Sequence, residues 1–247
     1  MVRRMASKVR LYVDHPLGQG QSVPLSREQA HYLFGVMRLG PGDVLSVFDG
    51  RSGEWDAEVA EAGKRVGTLL CRARTRPLAM PPDLWLLFAP VKKARTDFIV
   101  EKAVEMGVRR LLPVQTEHTN SERIRQDRLQ AHAVEAAEQC GATFVPEVAE
   151  LSRLGAVLDG WDDARHLMLC DEARTGEAAG LPPGDGAGTG SWAILIGPEG
   201  GFSDGERTRI GALPFARIVG LGPRILRADT AAVAALTLWQ LALGDWR

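Results

Sequence analysis

Two stretches near the C-terminus concentrate the residues able to do chemistry. The first is AILIGPEGGFSDGE, residues 193–206. An apolar run ends at Gly197, then Pro198, Glu199, Gly200 and Gly201 follow. Ser203 and Glu206 stand three apart, the spacing of a helix capping box. The second is ARIVGLGPRILRADTAA, residues 216–232. It sets Gly222 and Pro223 ahead of Arg224 and Arg227, with Thr230 where a helix opens. Both read as strand, glycine turn, helix. Glycine lets backbone N–H and C=O groups come close to a ligand with no Cβ between. In a parallel sheet such loops gather on the rim at the strand C-termini, where ligands bind. The ligand is left open by pattern alone. No lysine follows the glycines as in GxxxxGK[ST], no GxGxxG opens a first βα unit, and GxSxG is absent. One glycine turn can serve chain reversal only; two of this density within fifty residues favour a binding rim.

The elements needed to hold that rim are legible around it. LWLLFAPV (84–91), RRLLPVQT (109–116), HLMLCDEA (166–173), WAILIG (192–197) and ARIVGLG (216–222) are apolar runs of the kind that strands covered on both faces show. TFVPEV (143–148) reads as a shorter strand. Between them, DFIVEKAVEMG predicts a helix from Asp97 to Gly107, with Ile99, Ala103 and Met106 on one face. RLQAHAVEAAEQCG predicts another, lined by Leu129, Ala133, Ala136, Ala137 and Cys140 and closed by Gly141. TAAVAALTLWQLALG is a long terminal helix, apolar on more than one face. Strands alternating with helices imply an α/β domain with a mostly parallel sheet.

The first 76 residues differ. VRLYVD, VLSVFD, EWDAEVAE and VGTLLCRAR are short strands separated by turn clusters, with a tight hairpin expected at Asp49-Gly50 and Gly53. Ser26 is placed to cap a helix over REQAHYLFGVM. A small β-barrel over 1–76 and an α/β domain over 77–247 are the expected units, joined by the proline-rich TRPLAMPPD. The Gly/Pro-rich 174–191 stretch is expected to be a mobile loop.

Composition narrows the class. Of 247 residues, 45% are hydrophobic and 25% charged, as in ordinary globular chains. No apolar run approaches the ~18 residues of a membrane span. The basic N-terminus lacks the apolar segment of a signal peptide, so a cytoplasmic location is expected. Cys71, Cys140 and Cys170 are scattered, and the five histidines have no HExxH-type spacing; neither disulfides nor a metal are expected. The net charge of −1 is unevenly spread: residues 1–76 carry twelve Lys/Arg against eight Asp/Glu, and the remainder is acidic. A basic first part is suited to a polyanionic partner.

IGPEGGFSDGE together with LGPRILRADTAAVAAL resembles the ribosomal RNA small-subunit methyltransferase E family of the SPOUT superfamily. The similarity extends to RLYVD and AHYLFGVMRLGPGDVLSVFDG, like that family's N-terminal PUA-like RNA-binding domain. It continues through KKARTDFIVEKAVEMGVRRLLPVQTEH and EAAEQCGATFVPEV. In TEHTNSE, His118 and Thr119 stand where the family pattern has arginine and serine. The resemblance implies a C-terminal trefoil knot, a homodimer, S-adenosylmethionine as cofactor, and methylation of N3 of a uridine in 16S ribosomal RNA of the small subunit. It implies that the cofactor is held by Leu169, Leu195, Gly197, Pro198, Glu199, Gly200, Gly201, Leu221, Gly222, Pro223, Ile225, Leu226, Arg227 and Thr230.

Methyl transfer to uridine N3 requires loss of the imide proton and stabilisation of the resulting anion, and it needs no metal. Arg227 and Arg224 are the cations expected to do this, and Glu199 the base or the partner of the sulfonium. RNA contacts are expected from Arg10, Arg38, Lys92, Lys93 and Arg95; cations where VKKARTD opens a helix oppose the helix dipole and so favour a polyanion. Two other readings are a ribose 2′-O-methyltransferase, given the Asn120–Arg123 element, and a non-catalytic RNA-binding protein that retains the cofactor pocket. The nucleoside product separates the first, and cofactor binding without turnover the second.

Overall fold

A computed structural model of the chain describes residues 9–63, 65–120, 123–176 and 190–247. The basic residues 1–8, Ser121 and Glu122 of the TEHTNSE stretch, and most of the 174–191 loop lie outside them. Two compact units form. One runs to Met80 and includes Ala137–Val145; the other takes Pro81–Ala136 and Pro146–Arg247. The sequence boundary at 76 thus falls four residues short of the first unit's end, and it leaves out a later segment that joins that unit.

The first unit contains β1 (Arg10–Tyr12), β2 (Ser22–Pro24), α1 (Arg27–Ala30), β3 (Val44–Phe48), β4 (Glu54–Ala62) and β5 (Gly67–Arg76). They form a sheet in the order β1-β3-β4-β5-β2, antiparallel except for β1 beside β3. Alternation puts Leu45, Val47, Ala57, Val59 and Leu69 in its core with Leu33. The expected hairpin joins β3 to β4. The Asp49 carboxylate accepts N–H bonds from Arg51 (2.9 Å) and Ser52 (2.7 Å), an Asx turn.

Ser26 caps α1 reciprocally with Gln29, as its position predicts. The continuation is not α-helical, however. His31–Val36 is a π-helical turn in which Met37 N–H donates to the Tyr32 carbonyl five residues back. Gly35 lies within this turn and weakens an α-helical alternative. Arg38 then ends it at φ 58°, the left-handed region.

Arg10 departs from its expected role. Its Nε donates to Glu54 Oε2 at 2.7 Å, and Nη1 to the carbonyls of Ala137 and Glu138, both at 2.7 Å. Its Nη2 donates to the Ala142 carbonyl at 2.9 Å, and the guanidinium lies 4.5 Å above the Phe48 ring. It satisfies carbonyls left open where a helix ends, where a cation is also favoured by the helix dipole. Every arm of this guanidinium is occupied by protein, so we remove Arg10 from the RNA-contacting set.

The second unit runs β6 (Leu84–Phe88), α2 (Lys93–Glu105), β7 (Arg110–Gln115), α3 (Gln126–Cys140, whose last residues from Ala137 belong to the first unit), β8 (Glu147–Val148), β9 (Ser152–Arg153) and α4 (Leu154–Asp159). It continues through β10 (His166–Cys170), β11 (Trp192–Ile196), α5 (Asp204–Gly211), β12 (Ala216–Val219) and α6 (Ala228–Ala242). The sheet order is β12-β10-β11-β6-β7-β8, every pairing parallel, with β9 beside β7. All five β11 residues are buried, as a strand with both faces covered must be. The α2 helix begins at Lys93, one turn before the Asp97 start expected, because Thr96 ties it back: its Oγ1 accepts from Val91 N–H and donates to the Val91 carbonyl, both at 3.0 Å. In α3, Leu129, Ala133, Ala136 and Ala137 are buried, but Cys140, in the last turn, is exposed. Along α6 the buried stripe is Ala228, Ala232, Ala235, Leu236, Trp239 and Gln240, while Leu241 and, beyond the helix, Trp246 are exposed.

Candidate active site

Strand register builds the rim. Val219, Cys170, Ile196 and Phe88, the last residues of β12, β10, β11 and β6, stand in one row across the sheet. The loops leaving these strands therefore emerge side by side. They enclose a cavity of about 480 Å³. Its wall takes Lys92 and Arg95 from the start of α2, and Cys170, Asp171, Glu172 and Thr175 from the loop after β10. Ile196, Gly197, Pro198 and Glu199 follow from β11, then Leu221, Gly222 and Arg224–Ala228, with Ala231 of α6.

The predicted cofactor residues divide. Gly197, Pro198, Glu199, Leu221, Gly222, Ile225, Leu226 and Arg227 line the cavity, and Arg224 with them. Leu169 and Leu195 do not: both are wholly buried in the core, one residue short of the rim positions Cys170 and Ile196. Successive side chains on a strand point to opposite faces, so the next residue on each strand is the one presented. Gly200, Gly201 and Pro223 lie on the loops and Thr230 in the first turn of α6, all outside the cavity wall.

The glycines of the first loop have an explanation inside the protein. A Cβ at Gly197 would stand 2.8 Å from the buried Phe202 ring. One at Gly201, where φ is 67°, would overlap the Glu172 carboxylate. His118 lies over the same loop, its Nδ1–H donating to the Gly200 carbonyl at 3.0 Å. The glycines are expected to make room both for a ligand and for the chain's own segments; at Gly197 and Gly201 the nearest groups are the chain's own. The expected capping box closes the loop: Ser203 Oγ accepts from Glu206 N–H (3.2 Å) and Glu206 Oε2 from Ser203 N–H (3.0 Å). Glu206 Oε1 also accepts from Glu117 N–H at 3.0 Å, tying loop to loop. The two departures in TEHTNSE are thus structural, His118 against Gly200 and Thr119 Oγ1 accepting from Thr116 N–H at 2.9 Å.

Sequence reasoning missed the acidic wall. Asp171 is buried and Glu172 partly so. Arg207 of α5 holds both, with Nε at 3.2 and 3.1 Å from the two Asp171 oxygens and Nη2 at 2.6 Å from Glu172 Oε1. Burial alone would lower the Arg207 pKa, but its bonds to Asp171 and the charges of Asp171, Glu172 and Asp204 outweigh this and raise it. Two carboxylates directly after an apolar strand were the available signal. Cys170 beside them is buried, and desolvation pushes its thiol far above the ordinary range, so it presents no thiolate.

The cations also divide. Arg95 is ion-paired with Glu199, and its Nε lies 3.8 Å from Asp229 Oδ2 at the start of α6. It therefore fastens the glycine loop to α2 and α6. Arg224, Arg227, Lys92 and Lys93 are exposed, and their side chains make no hydrogen bond or ion pair among the described residues. Arg38 is exposed in the first unit.

Residues 79–240 match the RNA methyltransferase domain family, and residues 25–66 the RNA methyltransferase PUA domain. A ribosomal RNA small subunit methyltransferase E from Synechocystis is 30% identical over 218 residues, covering 87% of this chain and 71% of that one. The chain belongs to the ribosomal RNA small subunit methyltransferase E family. The structure of a family member from Neisseria gonorrhoeae bound to S-adenosyl methionine matches with a TM-score of 0.85 and 27% identity, over 97% of this chain and 99% of that one. A putative methyltransferase from Legionella pneumophila, in complex with the same cofactor, gives a TM-score of 0.82 and 27% identity over 96% and 98%. The family assignment thus spans both units, and the two cofactor-bound relatives share nearly the whole fold.

Proposed function

We propose that this chain transfers the methyl group of S-adenosylmethionine to N3 of a uridine in 16S ribosomal RNA. Family membership makes it a ribosomal RNA methyltransferase; the atom methylated and the residue roles below are our assignment. The observation that carries the reading is the cavity at the aligned ends of β12, β10, β11 and β6, built from the two glycine loops.

The residues fit the cofactor. Ile196, Leu221, Leu226, Ala228 and Ala231 supply an apolar surface for an adenine ring, and Asp171, Glu172 and Glu199 face a ligand that carries positive charge. A Cβ at Gly222 would meet no protein atom within 4 Å, so that glycine leaves room beside the cavity. When bound, S-adenosylmethionine supplies a methyl group on a sulfonium, whose bonding pair stays on sulfur as N3 takes the carbon. Arg227 and Arg224, free of protein partners among the described residues, are assigned to the negative charge that develops on the uracil oxygens. Glu199 is assigned to orientation, since its carboxylate is held by Arg95.

Arg38 and Lys93 are assigned to RNA phosphates. A homodimer is part of the proposal, supported by the exposed apolar Ile225, Leu241 and Trp246, as are a cytoplasmic location and a trefoil knot in the C-terminal chain. No helix of the described residues is long and apolar enough to cross a membrane. Incubating the protein with methyl-labelled S-adenosylmethionine and small subunits from cells lacking it tests the reading. Labelled 3-methyluridine supports it, and absence of transfer overturns it.

A further inference from the structure

A second hollow of about 310 Å³ adjoins the cofactor cavity. Three residues line both: Lys92, Pro198 and Glu199. Beyond that common wall the second hollow is bordered by Pro90, Val91, Lys93 and Asn120. Any group passing from a ligand in the first cavity to one in the second must cross beside those three residues. Glu199 is engaged by Arg95. Lys92 is the one cation among the described residues on the shared wall, and its ammonium has no protein partner among them. It also occupies the N-cap position of α2 without any side-chain capping bond. A cation is disfavoured there by the helix dipole, so its location is not explained by stability.

We infer that this second hollow receives the target pyrimidine of the RNA, turned out of its stack, and that Lys92 is a further catalytic residue that stabilises its deprotonated form. The inference rests on the methylation reading above and adds the base site to it. Uracil presents O4, N3–H and O2 along one edge. When the N3–H bond breaks and the proton passes to solvent, the negative charge spreads over N3 and the two oxygens. An ammonium at the shared wall stabilises that charge where it forms. The N3 electron pair would then form the new bond to the methyl carbon, whose bonding pair to sulfur stays on the sulfur. The Asn120 carboxamide, oriented with its N–H outward, donates to an exocyclic oxygen on the uracil edge. Lys93, which also borders the hollow, meets the phosphate of the extruded nucleotide.

The test uses the full chain, small subunits from cells lacking it, labelled S-adenosylmethionine, and calorimetry for cofactor affinity. Asn120→Ala is expected to leave cofactor affinity within about twofold and to lower kcat/KM for subunits about tenfold, as loss of one good base contact does. Lys92→Ala is expected to lower kcat about 10²-fold, the usual cost of losing one charge-stabilising group. Its residual rate should recover as pH rises and the imide proton is lost unaided, and Lys92→Arg should restore part of the rate. A wild-type-like kcat/KM in Asn120→Ala overturns the inference. So does a Lys92→Ala loss that cofactor affinity accounts for in full, or one that is independent of pH. Those results leave the methylation reading standing, whereas an inactive wild-type protein overturns that reading first.

Discussion

Replacing Gly201 with alanine separates the protein's own demands on the glycine loop from those of a ligand. At φ 67° an alanine bears the left-handed penalty of about 1–2 kcal/mol. Its Cβ would overlap Glu172 Oε1 and stand 2.6 Å from Glu172 Cδ. Glu172 must then swing away and give up its 2.6 Å bond to Arg207, a partly exposed pair worth up to about 1 kcal/mol. The total is about 1–3 kcal/mol, and at ~2–4 °C per kcal/mol for a chain of this size Tm falls by roughly 2–12 °C. Calorimetric melting of Gly201→Ala, Glu172→Ala and the double variant gives the partition. With the carboxylate removed, the alanine should cost only its backbone penalty, so the two substitutions couple by about 1 kcal/mol. Gly201→Ala melting within a degree or so of wild type, or strict additivity in the double variant, would refute the packing account of this glycine.

Arg10→Ala is expected to lower stability by about 2–4 kcal/mol, because Glu54 and three carbonyls lose a charged donor. The salt dependence of RNA affinity should be unchanged, since Arg10 is not assigned to phosphate; a stable variant whose log–log salt slope drops by about one would reverse that assignment. Asp83 supplies a pH test. Burial alone would raise its pKa, but hydrogen bonds from Arg165 and Ser191 and the nearby guanidinium charges outweigh it, and the net shift is downward. A depressed folded-state pKa contributes stability above the ordinary value of about 3.9, and that stability is lost as pH falls through the lower folded value. The difference in melting temperature between wild type and Asp83→Asn should therefore be present at pH 5 and shrink below about pH 4; a constant difference down to pH 2 would contradict the linkage.

Much of the fold was legible because single elements carried clear physical signatures. The unbroken apolar run at β11 could only be a strand covered on both faces, and the Ser203–Glu206 spacing marked the start of α5. Strand β2 was missed: three residues ending in proline give no periodicity to read. The π-helical turn after α1 was missed because its residues differ little from those of an α-helix. At the site, the rim and most of the cavity wall followed from the two glycine loops. Arg10 misled because Glu54 lies 44 residues away and its carbonyl partners 127 to 132, where no local pattern reports them. The Asp171–Glu172 wall was missed for a related reason, since Arg207 reaches it from 36 positions along the chain. Leu169 and Leu195 were each one residue off, because strand alternation settles which neighbour faces the cavity only once the rim is located.

The most direct test of the central claim is the identity of the labelled nucleoside. Small subunits from cells lacking this protein, incubated with it and methyl-labelled S-adenosylmethionine, are digested to nucleosides and resolved by mass spectrometry. The account predicts that the label appears in 3-methyluridine from 16S ribosomal RNA, and that Arg227→Ala reduces it about 10²-fold. Label in a ribose-methylated nucleoside, or cofactor binding with no transfer to RNA, would contradict it.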